Sequence, residues 1–260
     1  MATSQLLSVF GPALAGIFAV WMGATQIFFI NGATLFVAIL IILTIPKGTL
    51  QKGVNNENTA SKNTWNEVLK GIRLLFGNKI VRFALSIEFI SAIAGAIILV
   101  NTIGLVKNSL KLDDQHYGWI MSIFGVGAAI TAFLLGSLDK SKSRSVSLIS
   151  GAMLLGIAIS FANFLPYNGV MFLWVLAGIG QTLADMPSET LIGENIEAKD
   201  HGKVYGAHFA FSHLWWAIAY PIAGFLGTQF PGREFLYGGI ATIILAIAAI
   251  LLIRKPQVKQ

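Results

Sequence analysis

The feature that most constrains this chain is a series of long apolar runs. They fall at approximately residues 3–22, 24–45, 80–106, 117–138, 145–165, 168–192, 204–228 and 234–253. A run of roughly 20 apolar residues is what a helix needs to cross the hydrocarbon core of a bilayer. Strands are excluded because no run shows sustained period-two alternation and all are far too long. Transmembrane barrels are built from short alternating segments instead. The expected fold is all-α, a polytopic membrane bundle of about eight transmembrane helices. Composition agrees: 55% of residues are hydrophobic and only 12% charged, about half the charged share of a soluble protein. Mean hydropathy is +0.72. A free cytosolic enzyme and a disordered chain are thereby excluded, and a secreted disulfide scaffold is excluded because the chain has no cysteine.

The net charge of +6 would suggest nucleic acid in a soluble chain. Here the cations sit in short inter-helical segments, and no nucleic-acid partner is expected. Alternate segments hold 15 of the 18 Lys and Arg residues. They are 46–82, the loop with Lys140, Lys142 and Arg144, the loop with Lys199 and Lys203, and the tail with Arg254, Lys255 and Lys259. The opposite set holds Lys107, Lys111 and Arg233. The positive-inside rule assigns the richer set to the cytoplasm, so both termini are expected there. Trp21, Tyr117 and Trp119 then fall at the outer edge, where aromatic belts lie.

One long polar stretch, 46–63, reads as a flexible linker. Thr64 and Glu67 fit a capping box, and Trp65, Val68, Leu69, Ile72, Leu75 and Phe76 then recur at helical spacing. This predicts a basic amphipathic helix, either lying on the inner membrane surface or packed as a connector against the bundle. The expected divisions are 1–45 with two spans, 46–79 as a cytoplasmic linker with its helix, and 80–260 with six spans. No basic region precedes the first apolar run, so a signal peptide is not expected.

No Walker A loop, GxSxG, HExxH or cysteine metal motif occurs, and no enzymatic activity, cofactor or bound metal is expected. Gly178 and Gly180, and the stripe Gly202, Gly206 and Ala210, read as small residues that permit close helix packing. The intramembrane ionisable residues are more informative. An ionised side chain at the bilayer centre costs at least ~3 kcal/mol on insertion scales, so such groups face protein or water. They are Glu88 in the third run, Asp185 and Glu189 in the sixth, and His208 and His213 in the seventh. All five lie in the cytoplasmic half, at depths that permit a shared polar site. Gln181, Asp185 and Glu189, four residues apart in turn, line one helix face. Two carboxylates so placed repel, and a proton held by one relieves the repulsion. Glu88, Asp185 and Glu189 are thus the proton-coupling candidates; in the alternative, Glu189 is interfacial and Asp185 pairs with a neighbouring helix. His208 and His213 stand about 140° apart around the helix, so they cannot chelate one ion from a single helix. With Trp216 and Tyr220 they are the substrate-binding candidates, or else hydrogen-bonded packing residues.

Four stretches resemble the major facilitator superfamily in its macrolide-efflux and nickel-resistance-like branch. Residues 11–16 (GPALAG) with 28–33 (FFINGA) look like the fifth and sixth helices, and 66–73 (NEVLKGIR) like the central loop. Residues 136–139 (GSLD), with Lys140, Lys142 and Arg144, look like the basic loop between helices eight and nine, although the Asp comes one residue early and the second Gly is missing. Residues 187–192 (PSETLI) with 200–206 (DHGKVYG) look like the end of helix ten and the entry to helix eleven. The resemblance implies a partial major facilitator fold, helices five to twelve, with substrate held near the midplane between two six-helix halves. It also implies a cytoplasmic gate at Gly136, Asp139 and Arg144. The implied function is export of a small molecule by proton-coupled alternating access from the inner membrane. Divalent-metal export and a truncated, transport-inactive fragment remain the alternatives. The four absent helices imply a fragment or a split carrier completed by a separate chain.

Overall fold

The computed structural model describes residues 24–44, 64–137 and 144–253. Among them there are eight α-helices and no strand: α1 (Ala24–Thr44), α2 (Thr64–Gly77), α3 (Lys79–Gly104), α4 (Asp114–Ser137), α5 (Arg144–Ser160), α6 (Tyr167–Asn195), α7 (His201–Gln229) and α8 (Glu234–Ile253). The all-α class agrees with the sequence expectation. Six helical runs among the described residues are long and apolar enough to cross a membrane: Lys79–Ser109, Asp114–Leu135, Arg144–Phe164, Tyr167–Asn195, Ala198–Gln229 and Glu234–Leu252. They coincide with the last six apolar runs of the sequence. The run at 3–22, the 46–63 linker, Lys140, Lys142 and the basic tail lie outside the described residues. The run at 24–45 is the helix α1, whose described side chains are exposed.

The bundle is organised around α3, the most buried of the six long helices, while α7 is the least covered. α3 packs along α7, α8, α6 and α5; α6 packs along α5 and α4; α5 packs along α8. The main core joins Ile93, Ile97 and Ile98 of α3 with Leu155, Ile159, Trp174, Ala219 and Phe235. Trp174 and Phe235 meet edge to face at 5.4 Å, a geometry that aromatic quadrupoles favour.

Glycines set the tightest approaches. A Cβ on Gly178 would collide with the Phe124 carbonyl oxygen of α4, and one on Gly127 with the Val175 carbonyl oxygen of α6. The two backbones therefore touch at reciprocal glycines. Gly202 and Gly206 behave otherwise: a Cβ at either would meet nothing within 4 Å. The 202–206–210 stripe expected to pack is thus open among the described residues, because it lies on the uncovered side of α7.

Helix ends are fixed by local and distant caps. Asn78 Oδ1 accepts from Ile80 N at 2.8 Å and Val81 N at 3.3 Å, starting α3 one residue after α2 ends. Asn163, between α5 and α6, accepts from Phe235 N at 3.1 Å and Leu236 N at 3.3 Å. A helix start leaves orphan N–H groups that must find acceptors; for α8 the acceptor comes from about 70 residues away in the chain. Pro187 and Pro221 sit inside α6 and α7, each removing one helical hydrogen bond.

α2 packs against α7 and the start of α3. Lys70 Nζ lies 2.8 Å from Asp200 Oδ1, and Lys203 pairs with Glu67 and lies 3.6 Å from Asp200. Gly71 faces the Lys203 carbonyl oxygen so closely that a Cβ would stand 2.5 Å from it. The connector packing foreseen as one option for this helix is therefore present on one of its sides.

Candidate functional site

The site is built from α3, α6 and α7. Each supplies polar side chains about 10–15 Å along its axis from the same end of the bundle, at 1.5 Å per residue. Glu88 of α3 and His208 of α7 meet across the helix boundary, with Oε2 to Nε2 at 2.8 Å. His208 is buried, at 8% exposed. The contact is an ion pair if the imidazole carries its second proton and a hydrogen bond if it does not.

Asp185 of α6 lies beside this pair. Gln181, one turn earlier, donates from Nε2 to Asp185 Oδ2 at 2.8 Å, as their four-residue spacing allows. The Asp185 charge is within range of Glu88, Glu189 and the Ser91 hydroxyl. Asp185 Oδ1, Gln181 Oε1 and Ser91 Oγ are buried without a hydrogen bond of good geometry. Three polar atoms so placed form a buried polar patch between α3 and α6.

Gly95 lets the three helices converge. A Cβ there would stand 2.8 Å from both Gln181 Oε1 and the Trp216 ring. Trp216 is half-buried and stacks at 5.5 Å on Tyr220, which is exposed. Aromatic surface therefore begins where the polar cluster ends.

The remaining candidates stand apart. Glu189 is exposed, and its backbone carbonyl accepts from the Tyr205 hydroxyl at 3.2 Å. His213 is exposed, hydrogen-bonds through Nδ1 to the Phe209 carbonyl at 2.8 Å and stacks on the Phe209 ring at 4.1 Å. It shares no hydrogen bond with His208. Among the described residues no group of three His, Cys, Asp or Glu is arranged to hold a metal. Of the loop residues, Gly136 lies in the last turn of α4, Asp139 lies outside the described residues, and Arg144 starts α5. Arg144 Nη2 bonds Glu194 Oε1 near the end of α6 at 2.6 Å.

Sequence reasoning missed Ser91, Gly95 and Glu194. The first two were legible: Glu88, Ser91 and Gly95 fall at i, i+3 and i+7, a polar and small stripe on an otherwise apolar helix. Glu194 carries no such signal, since its partner is 50 residues away.

Residues 84–260 match the Major Facilitator Superfamily. The chain belongs to the major facilitator superfamily. It is similar to YfiS, an uncharacterized MFS-type transporter of Bacillus subtilis (strain 168), at 26% identity over 76% of this chain and 49% of the relative. It is also similar to a multi-drug resistance efflux pump PmrA homolog of Lactococcus lactis subsp. lactis (strain IL1403), at 28% identity over 61% of this chain and 37% of the relative. The chain thus spans half or less of the length of these curated relatives. With its six candidate spans, this member of a transporter superfamily is an integral membrane protein and not an enzyme.

Proposed function

We propose that this chain carries the C-terminal half of a proton-coupled exporter of small molecules, in the macrolide-efflux and nickel-resistance-like branch. The observation that carries the reading is the hydrogen bond between Glu88 and His208, joining two helices within the membrane, with Asp185 in charge range on a third. A proton on Asp185 turns an acceptor into a donor, and a proton on His208 turns its bond to Glu88 into an ion pair. Each event changes the attraction between helices, which is what alternating access requires of a coupling site. Glu189, exposed at the end of the same face, is the entry point for the proton. Trp216 and Tyr220, with Phe209 and His213 on the same uncovered side of α7, offer an apolar binding surface with few polar anchors. The relative described as an efflux pump homolog supports the outward direction. Metal export is the weaker reading, because Glu88 and His208 supply two ligands where a divalent ion needs more.

The domain division is 1–45, 46–79 and 80–260. The Arg144–Glu194 bond ties the start of α5 to the end of α6 and serves as the gate-loop contact, with Gly136 and Asp139 as the other gate residues the resemblance implies. Both termini and the loops around Lys142 and Lys199 are cytoplasmic, at the inner membrane. Reporter fusions after Lys142 or Lys199 should therefore be active only in the cytoplasm, and those after Asp113 or Gln229 only outside; external activity at Lys142 would overturn the orientation.

The function is tested in proteoliposomes holding the full chain. An imposed pH gradient should drive uptake of ethidium into inverted vesicles above the level of protein-free vesicles. Flux equal to protein-free vesicles would reject this chain as a transporter and favour an inactive fragment.

A further inference from the structure

We infer that α2 is a docking surface for an anionic lipid leaflet. One side of α2 is taken by α7: Glu67 and Lys70 are paired to Lys203 and Asp200, and Gly71 is pressed on the Lys203 carbonyl. The other side carries Trp65, Val68 and Leu69, exposed at 76%, 44% and 53%. Trp65, Leu69 and Arg73 form one stripe at four-residue spacing, and all three are exposed.

The position of the helix names the occupant. α2 ends at Gly77, and α3 begins at Lys79 after the single cap residue Asn78. Its middle rests on the first turn of α7. α2 is thus held at two points to the starts of two membrane-crossing helices, and lies along the boundary between lipid and water. There its apolar stripe meets the headgroup region. Arg73 closes that stripe, and Lys79 and Arg82 follow in the first turn of α3; all three are exposed. Among the described residues none of the three has an ion-pair partner, whereas Lys70 and Lys203 do. Three unneutralised cations beside an apolar stripe at the membrane boundary are complementary to lipid phosphates, each contributing to attraction by an anionic leaflet. Trp65 has the amphipathic ring that favours the interface.

Because the chain has no cysteine, Leu69→Cys gives a single spin-label site. In nanodiscs of phosphatidylcholine with phosphatidylglycerol, the label should be accessible to oxygen and shielded from a water-soluble nickel chelate. The ratio of phosphatidylglycerol to phosphatidylcholine retained on the purified protein should fall in the triple variant Arg73→Gln, Lys79→Gln and Arg82→Gln, each lost cation weakening the hold on an anionic headgroup about fivefold. The same change at Lys107, Lys111 and Arg233, at the other ends of the helices, should leave the ratio unaltered. Chelate access to the label equal to that of an aqueous site would overturn the inference. So would an unchanged ratio in the first triple variant, or an equal fall in both triple variants.

Discussion

Asp185→Asn is expected to reduce pH-driven export to the level of protein-free vesicles while leaving the protein folded and equilibrium exchange of substrate intact. Asn keeps the size of the side chain and can still accept from Gln181 Nε2, the bond present at 2.8 Å, but it cannot carry a proton on and off. Separating the two assays matters, because a merely structural Asp185 would move both together. Glu88→Gln should weaken coupling less, since its amide still accepts from or donates to His208 at the 2.8 Å contact. Glu88→Ala leaves the buried imidazole without its partner and should also cost about 1–3 kcal/mol of stability. Gradient-driven flux unchanged in Asp185→Asn removes that residue from the mechanism.

Gly178→Ala should be the most damaging single methyl in the bundle. The added Cβ would collide with the Phe124 carbonyl oxygen, a backbone atom that cannot rotate away. α4 and α6 must then separate, and the facing Gly127–Val175 contact opens with them. Overpacking of a tight interface typically costs about 1–3 kcal/mol, and a backbone collision belongs at the upper end. Gly118→Ala is the matched control on α4, where a Cβ meets nothing within 4 Å. In a half-buried helix position with open space beside it, the change should be neutral or stabilising by about 0.5–1 kcal/mol. Thermal unfolding in detergent should give a clearly lower Tm for the first variant and no loss for the second. Equal midpoints would show that the close approach does not limit stability.

The helices were legible in the sequence because their cause is local. The bilayer demands long apolar runs with every backbone group satisfied internally, and residues 80–106 alone announce the helix observed as Lys79–Gly104. The Gln181–Asp185 bond was equally open to reading, since four residues in a helix bring two side chains together. Family membership was visible in 187–192 and 200–206, and the match over 84–260 bears it out.

Other features were decided only by the packing of distant segments. Apolar runs alone do not say which helix is central, since all six look alike to lipid; the burial of α3 and the openness of α7 follow from how the side chains interlock. The Gly178 approach and the open Gly202 stripe have the same small-residue composition, and only the neighbour or its absence separates them. Glu88 was identified as intramembrane, yet its choice of His208 over His213 depends on the rotation of α7 against α3. Rotation is set by packing along whole helices, which no local spacing encodes. Composition, periodicity and charge asymmetry therefore determined the membrane, the helices and the candidate residues of this protein. Tertiary structure decided their partners, because hydrogen bonds between helices 120 residues apart are a property of the assembled bundle.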